Sequence, residues 1–373
     1  MKIPRQNLRT PGPTPCPDEV LEAIAGSMIN HRGPEFHELI LRVTKNLKNV
    51  FATEGRMYIL SASGTGALEA AVVNFLSPGD KVLAVSMGYF GERFAEVARV
   101  YGAQVKKLDF ELGSAADPGA IRAALKEDPE IRAVLVTHNE TSTGVTNDLE
   151  RIAKIVKDES KALLLVDAIS SLSGIPLPVD QWRCDVVCTA SQKGLMVPPG
   201  LAFISVSQEA WEAREHAKMP RYYFDLGLAQ RYLERGQTPW TPVVSLFYGL
   251  DVALEMLLKE GMENVFRRQA NIAQFTRQGI RGLGLQLLVD GPRASKMVTA
   301  VKVPEGVDGG QLSQIMRSDH SVVLAGGQGN LHGKIFRVGH MGQVAEEEIR
   351  EVLTSLEKTL PKVGFKPAHA VAG

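Results

Sequence analysis

Residues 184–196, Cys184-Asp185-Val186-Val187-Cys188-Thr189-Ala190-Ser191-Gln192-Lys193-Gly194-Leu195-Met196, set a lysine just past an apolar run. The run 184–188 predicts a buried strand, so Lys193 falls in the turn that follows, before Pro198-Pro199-Gly200 stops any long helix. Upstream, Lys161-Ala162-Leu163-Leu164-Leu165-Val166-Asp167 predicts a second buried strand, ending in a carboxylate. Open α/β sheets bind ligands outside the carboxyl ends of their strands. A single loop lysine is ordinarily just solvated. An amine and an acid ending two neighbouring strands have a sharper reading, because a pyridoxal phosphate site needs a lysine for the aldehyde and an acid for the pyridinium nitrogen.

The chain around this pair has 373 residues, more than one compact core usually holds, so a large and a smaller domain are expected. Lys plus Arg and Asp plus Glu both number 42, and no whole-chain field points to nucleic acid or to a membrane surface. Cys16, Cys184 and Cys188 are too few and too scattered for a disulfide framework or a zinc site. No apolar run reaches membrane-spanning length, and Met1–Arg5 lacks an apolar signal region. The expectation is a cytoplasmic protein.

Working outward, Thr10–Pro17 carries four prolines and predicts a rigid N-terminal arm, in which Gly12 allows backbone to approach a ligand. Helical spacing follows over 18–27 and 35–52. Met57–Leu60 reads as a strand. It leads through Ser61-Ala62-Ser63-Gly64-Thr65-Gly66 into a helix from Ala67, and a strand, small-residue turn and helix N-terminus suit a phosphate. The turn is neither a P-loop nor a dinucleotide fingerprint, since no Gly-Lys-Ser/Thr follows and Glu69 stands in place of the third glycine. Strands at 81–86, 104–108, 133–137 and 201–206 alternate with helices, which predicts a doubly wound, mainly parallel sheet. Five of its strand ends carry polar or aromatic groups: Ser63 and Thr65, Phe90, Thr141, Asp167, and Ser191-Gln192-Lys193. Together on one sheet edge they make a site. Residues 207–235 read as a mobile charged and aromatic surface segment, and 243–283 as a long helical link. Beyond about 290 a small α+β unit is expected, with strands at 298–303, 322–325 and 334–338 and helices at 308–317 and 346–360. Arg337 is a cation on one of its apolar strands, either solvated or a clamp for a carboxylate.

Six motifs in order carry a resemblance: Pro11–Pro15, Ser63–Ala70, His138–Val145, Val166–Ser171, Ser191–Lys193 and Phe336–Gly342. Through them the chain resembles the alanine–glyoxylate and serine–glyoxylate aminotransferases, class V of the fold-type I pyridoxal phosphate enzymes. The resemblance implies an α/β fold like that of aspartate aminotransferase: an arm (1–20), a large domain with a mainly parallel seven-stranded sheet (21–260), and a small C-terminal α+β domain (261–373). It implies pyridoxal 5'-phosphate as cofactor. Lys193 would form the Schiff base and shuttle the proton, and Asp167 would pair with the ring nitrogen. Phe90 would stack on the ring beside Thr141. Ser63, Gly64, Thr65 and Gln192 would hold the phosphate. Arg337, with Gly12 nearby, would bind the substrate. Gln237 and Thr241 would complete the phosphate site of a neighbouring subunit, which implies a homodimer with shared sites. The activity implied is ping-pong transfer of an amino group from serine or alanine to glyoxylate or pyruvate. Two alternatives stay open: a 2-aminoethylphosphonate–pyruvate aminotransferase, in which Arg32 meets the phosphonate, and a non-catalytic relative that holds the cofactor. A cysteine desulfurase is disfavoured, because no cysteine lies where a mobile catalytic loop is expected.

Overall fold

The computed structural model describes residues 6–366. Its centre is a seven-stranded sheet of β1 (Arg56–Ala62), β2 (Lys81–Ser86), β3 (Gln104–Asp109), β4 (Ala133–Thr137), β5 (Leu163–Asp167), β6 (Val186–Ala190) and β7 (Gly200–Val206). The spatial order is β1-β7-β6-β5-β4-β2-β3. Neighbours from β6 through β3 are parallel, while β7 runs antiparallel to both β6 and β1. The exception has a simple cause. A parallel crossover takes a dozen or more residues, and 191–199 are too few for one, so the chain turns back beside β6. That tight return carries Lys193.

β4, β5 and β6 are buried along their whole length, and the alternation of their side chains feeds two cores. On one face, Val134, Val136, Leu164 and Val166 pack with the apolar stripes of α1 (Pro34–Phe51), α4 (Pro118–Glu127), α5 (Leu149–Glu159) and α6 (Val244–Glu260). On the other, Ala133, Leu135, Leu163 and Leu165 meet α2 (Gly64–Phe75) and α3 (Tyr89–Val100). The sheet is doubly wound as expected, and one of its two edges, β3, is blunted by Lys106 and Lys107.

A second, three-stranded antiparallel sheet joins β8 (Val298–Lys302), β10 (Ile335–Gly339) and β9 (Ala325–Gly326), in that order. α7 (Met262–Gly282), α8 (Gly309–His320) and α9 (Glu346–Thr359) build its core. Three expectations need correction. The strand expected at 322–325 is split: Val322–Val323 pairs in parallel with Asn7–Leu8 of the arm, and only Ala325–Gly326 joins the sheet. The helical link breaks at Gly261, whose φ of 82° is one that glycine adopts without strain. The segment 207–235 holds two short helices, each started by a side-chain cap, from Ser207 and Asp225. Among the described residues no helix is long and apolar enough to cross a membrane.

Candidate active site

The carboxyl ends of the parallel strands surround a cavity of about 190 Å³. Ser63, Gly64, Thr65, Phe90, Thr141, Asp167, Gln192 and Lys193 all line it, with Arg93, Ile169 and Ser170 added. Ser63 precedes α2 but makes no capping bond with its side chain, so the N–H groups of the helix's first turn point outward without intrahelical acceptors. Gly64 is buried, and a Cβ there would press to 2.6 Å from Ile169. Gln192 lines the same end, where its amide NH2 can donate. This end of the cavity is an anion cradle built from neutral donors.

Asp167 ends β5 with a buried side chain. One of its oxygens accepts from the Ile169 N–H at 2.9 Å, and no second hydrogen bond reaches the carboxyl group among the described residues. Burial pushes its pKa up to about 7, against the pull of that N–H. The charge of Glu140 adds to the rise, while Lys193 and Arg93 oppose it. Lys193 is displaced the other way. Burial brings its ammonium down to about 8, Asp167 resists, and Arg337 and Arg93 add to the fall. Two titrating groups driven toward neutrality in one cavity are a pattern that functional sites share.

The N-terminal arm closes over the lysine. Lys193 Nζ donates to the Pro11 carbonyl at 2.6 Å, and Thr14 ties the arm to the same turn through Thr14 N to Gln192 O (3.1 Å) and Thr14 Oγ1 to Lys193 O (3.0 Å). Gly12 sits at φ 99°, and a Cβ there would collide with the Lys193 side chain. The arm then reaches the small sheet, where Gly339 N donates to Arg9 O at 2.6 Å.

Arg337 is buried on β10, not among the residues that line the cavity but bonded to one of them, Thr141. Its Nε and Nη2 donate to Gly326 O at 3.0 and 2.8 Å, and its Nη1 to Thr141 O at 3.1 Å. A guanidinium has five N–H groups, so one remains on each terminal nitrogen, a fork of the kind that takes a carboxylate. Burial lowers its pKa to about 10, with Glu140 opposing.

Three residues escaped the sequence reading. Glu140, wholly buried, accepts from Phe90 N (3.1 Å), Gly91 N (3.0 Å), Ser142 N (3.0 Å) and Ser142 Oγ (2.5 Å). It caps α3 from outside and so fixes Phe90. Ser170 accepts from Thr141 Oγ1 at 2.7 Å and donates to Asn139 O at 2.8 Å, which holds Thr141 in place. Arg93 lies over Phe90 with its Nη1 on Thr65 Oγ1. Gln237 and Thr241 are not brought to this cavity. They lie in a surface loop whose Gln237 Oε1 and Thr238 and Pro239 carbonyls accept from Arg32.

The sequence profile described as Aminotransferase class-V matches residues 7–350. The chain belongs to the class-V aminotransferase family. It is 44% identical to the soluble hydrogenase 42 kDa subunit of Anabaena cylindrica, over 98% of this chain and 96% of that one. It is 38% identical to a serine–glyoxylate aminotransferase of Methylorubrum extorquens, over 99% and 94%. Among solved structures it superposes on an alanine–glyoxylate aminotransferase from Nostoc sp. with a TM-score of 0.93, at 32% identity and 96% coverage of each chain. As a member of this family the chain is a pyridoxal phosphate-dependent aminotransferase with a fold-type I architecture. Its residues fit that cofactor. A buried acid with an unsatisfied oxygen suits a pyridinium, a buried amine suits an aldehyde, and the free helix N–H groups with the Ser63 and Thr65 hydroxyls suit a phosphate.

Proposed function

We propose that this aminotransferase moves an amino group from serine or alanine to glyoxylate or pyruvate, through the residues gathered at the carboxyl edge of the sheet. The observation that carries the reading is the buried Lys193–Asp167 arrangement, in which neither group has an ion-pair partner among the described residues. When bound, pyridoxal phosphate supplies the aldehyde that takes up the amino group and the electron sink that loosens the Cα proton. Lys193 Nζ would take that proton and return it, and its pKa, lowered to about 8 by burial, brings the neutral amine within reach near physiological pH. Asp167 would hold the ring nitrogen's proton, and Phe90 and Thr141 would hold the ring. Ser63, Gly64, Thr65 and Gln192 hold the phosphate. The free fork of Arg337 takes the substrate's carboxylate, and Gly12 keeps the arm close without blocking the lysine.

Relatives are named serine–glyoxylate and L-aspartate–glyoxylate aminotransferases, which supports a small amino donor and glyoxylate as acceptor. We further propose a homodimer in which the Gln237–Thr241 loop reaches the neighbour's phosphate, and a division of the chain near residue 260 into a large and a small domain after the arm. A cytoplasmic location fits three free thiols, two of them buried. Initial rates with varied serine or alanine at fixed glyoxylate levels test the reading. Parallel reciprocal plots support it. Turnover with 2-aminoethylphosphonate alone would move the assignment to a phosphonate aminotransferase, with Arg32 as a candidate contact.

A further inference from the structure

The phosphate cradle has a gap in its charge. Ser63, Thr65, Gln192 and the first N–H groups of α2 are all neutral, while the cavity already holds the acid Asp167. A phosphate dianion added there makes the enclosed space strongly negative. The lining residues include two cations, Lys193 and Arg93. Lys193 points to the Pro11 carbonyl and has its own chemistry.

Arg93 has none. It sits in the first turns of α3, and its guanidinium carbon lies 5.2 Å from the Phe90 ring centre and 5.0 Å from that of Tyr89. Its Nη1 donates to Thr65 Oγ1 at 3.2 Å. The acids of its own helix and of the facing helix are committed elsewhere: Glu92 to Lys107 at 2.7 Å, Glu96 to Arg99, and Glu69 to the Tyr101 hydroxyl at 2.7 Å. Among the described residues Arg93 makes no ion pair, though it is half-buried. Thr65 is the second residue of α2, one of those whose N–H groups are free. A hydroxyl that accepts from a guanidinium keeps its own proton to donate onward. The guanidinium therefore stands one hydroxyl away from the anion cradle. Stacking on two rings narrows the orientations open to a long side chain, and Glu140 fixes the helix start that carries it.

We propose that Arg93 is the cation of the cofactor's phosphate site, binding the phosphate dianion through its remaining N–H groups and through the Thr65 hydroxyl. The proposal rests on the pyridoxal phosphate reading above. It assigns the charge to α3, where sequence motifs at the start of α2 gave no sign of it.

The test compares two probes on the full chain stripped of cofactor: pyridoxal phosphate, and pyridoxal, which has the same ring and aldehyde but no phosphate. Binding is followed by quenching of tryptophan fluorescence, without any turnover. In Arg93→Gln, affinity for pyridoxal phosphate should fall by about ten- to a hundredfold, the loss of a charge-assisted hydrogen bond. Affinity for pyridoxal should change less than about twofold by the same argument, as no charged contact to it is lost. Arg93→Lys, which keeps the charge but not the fork, should recover part of the loss. Equal loss of both probes would overturn the proposal, because it would mean that Arg93 only packs against the rings. So would an unchanged affinity for pyridoxal phosphate. A wild-type protein that binds neither probe would fail differently, contradicting the cofactor reading and with it this one.

Discussion

Two lysine–aspartate arrangements flank the same pair of strands, at opposite ends. At the amino ends of β5 and β6, Lys157 Nζ meets Asp185 at 2.9 Å and Glu209 at 2.8 Å. Asp185 also accepts from Leu164 N at 2.8 Å and from Ser207 Oγ at 3.0 Å. Burial disfavours both charges and holds Asp185 above its ordinary value against the pull of Lys157, yet the two carboxylates together raise the Lys157 pKa. At the carboxyl ends, Asp167 has one N–H for a partner and Lys193 a carbonyl, and both are driven toward neutrality. The first arrangement is closed, with every charge answered from within the chain. The second is open and needs something from outside. Buried charge that is satisfied reports on folding, and buried charge that is not reports on a ligand.

The contrast can be broken by substitution. The largest effect is expected at the open end, where Lys193→Ala should cut turnover by about a thousandfold or more, since it removes both amine and proton carrier. Its melting temperature should stay near that of the wild type. A variant that still turned over would take the lysine out of the chemistry. The closed end should respond in the opposite way. Lys157→Ala leaves Asp185 buried and unpaired, and should cost about 3–5 kcal/mol of stability in chemical denaturation. Its kcat should not move, and lost activity at full stability would erase the distinction between the two ends. Arg337→Ala should raise KM for every carboxylate substrate, at about 2–5 kcal/mol in kcat/KM. Unchanged kinetics would remove the clamp.

The last effect is in pH. The folded pKa of Asp167 lies above its ordinary value, so the stability held by its neutral form is full at low pH. That contribution is lost as pH rises from about 4 through about 7. The slope is at most about 1.4 kcal/mol per pH unit for one group. Denaturation of cofactor-free wild type and Asp167→Asn across this range measures it. The variant should lack the slope, and two superimposable curves would contradict the pKa.

Much of this was legible in the sequence, because buried parallel strands announce themselves as apolar runs and the site lies at their ends. Asp167, Lys193 and the Ser63–Thr65 turn each lie at the end of such a run, and all line one cavity. The supporting residues were not legible, for a physical reason. Glu140 lies in a polar stretch where nothing local says that its carboxylate caps a helix some fifty positions away. Arg93 occupies a position that on an amphipathic helix is ordinarily solvated, and only the fold sets it against Phe90 and Thr65. The Pro11–Lys193 contact joins opposite halves of the chain. The split of the strand expected at 322–325 follows from pairing with the arm, a long-range partner that local β-propensity does not encode.

The account turns on the open pair being a transaminase site, and a visible spectrum tests that most directly. The purified protein should be yellow, and L-serine or L-alanine added without any oxo acid should bleach it as the amino group passes to the cofactor. Adding glyoxylate should then restore the colour. A protein that stays colourless after added pyridoxal phosphate, or a yellow one that no amino acid bleaches, would contradict it.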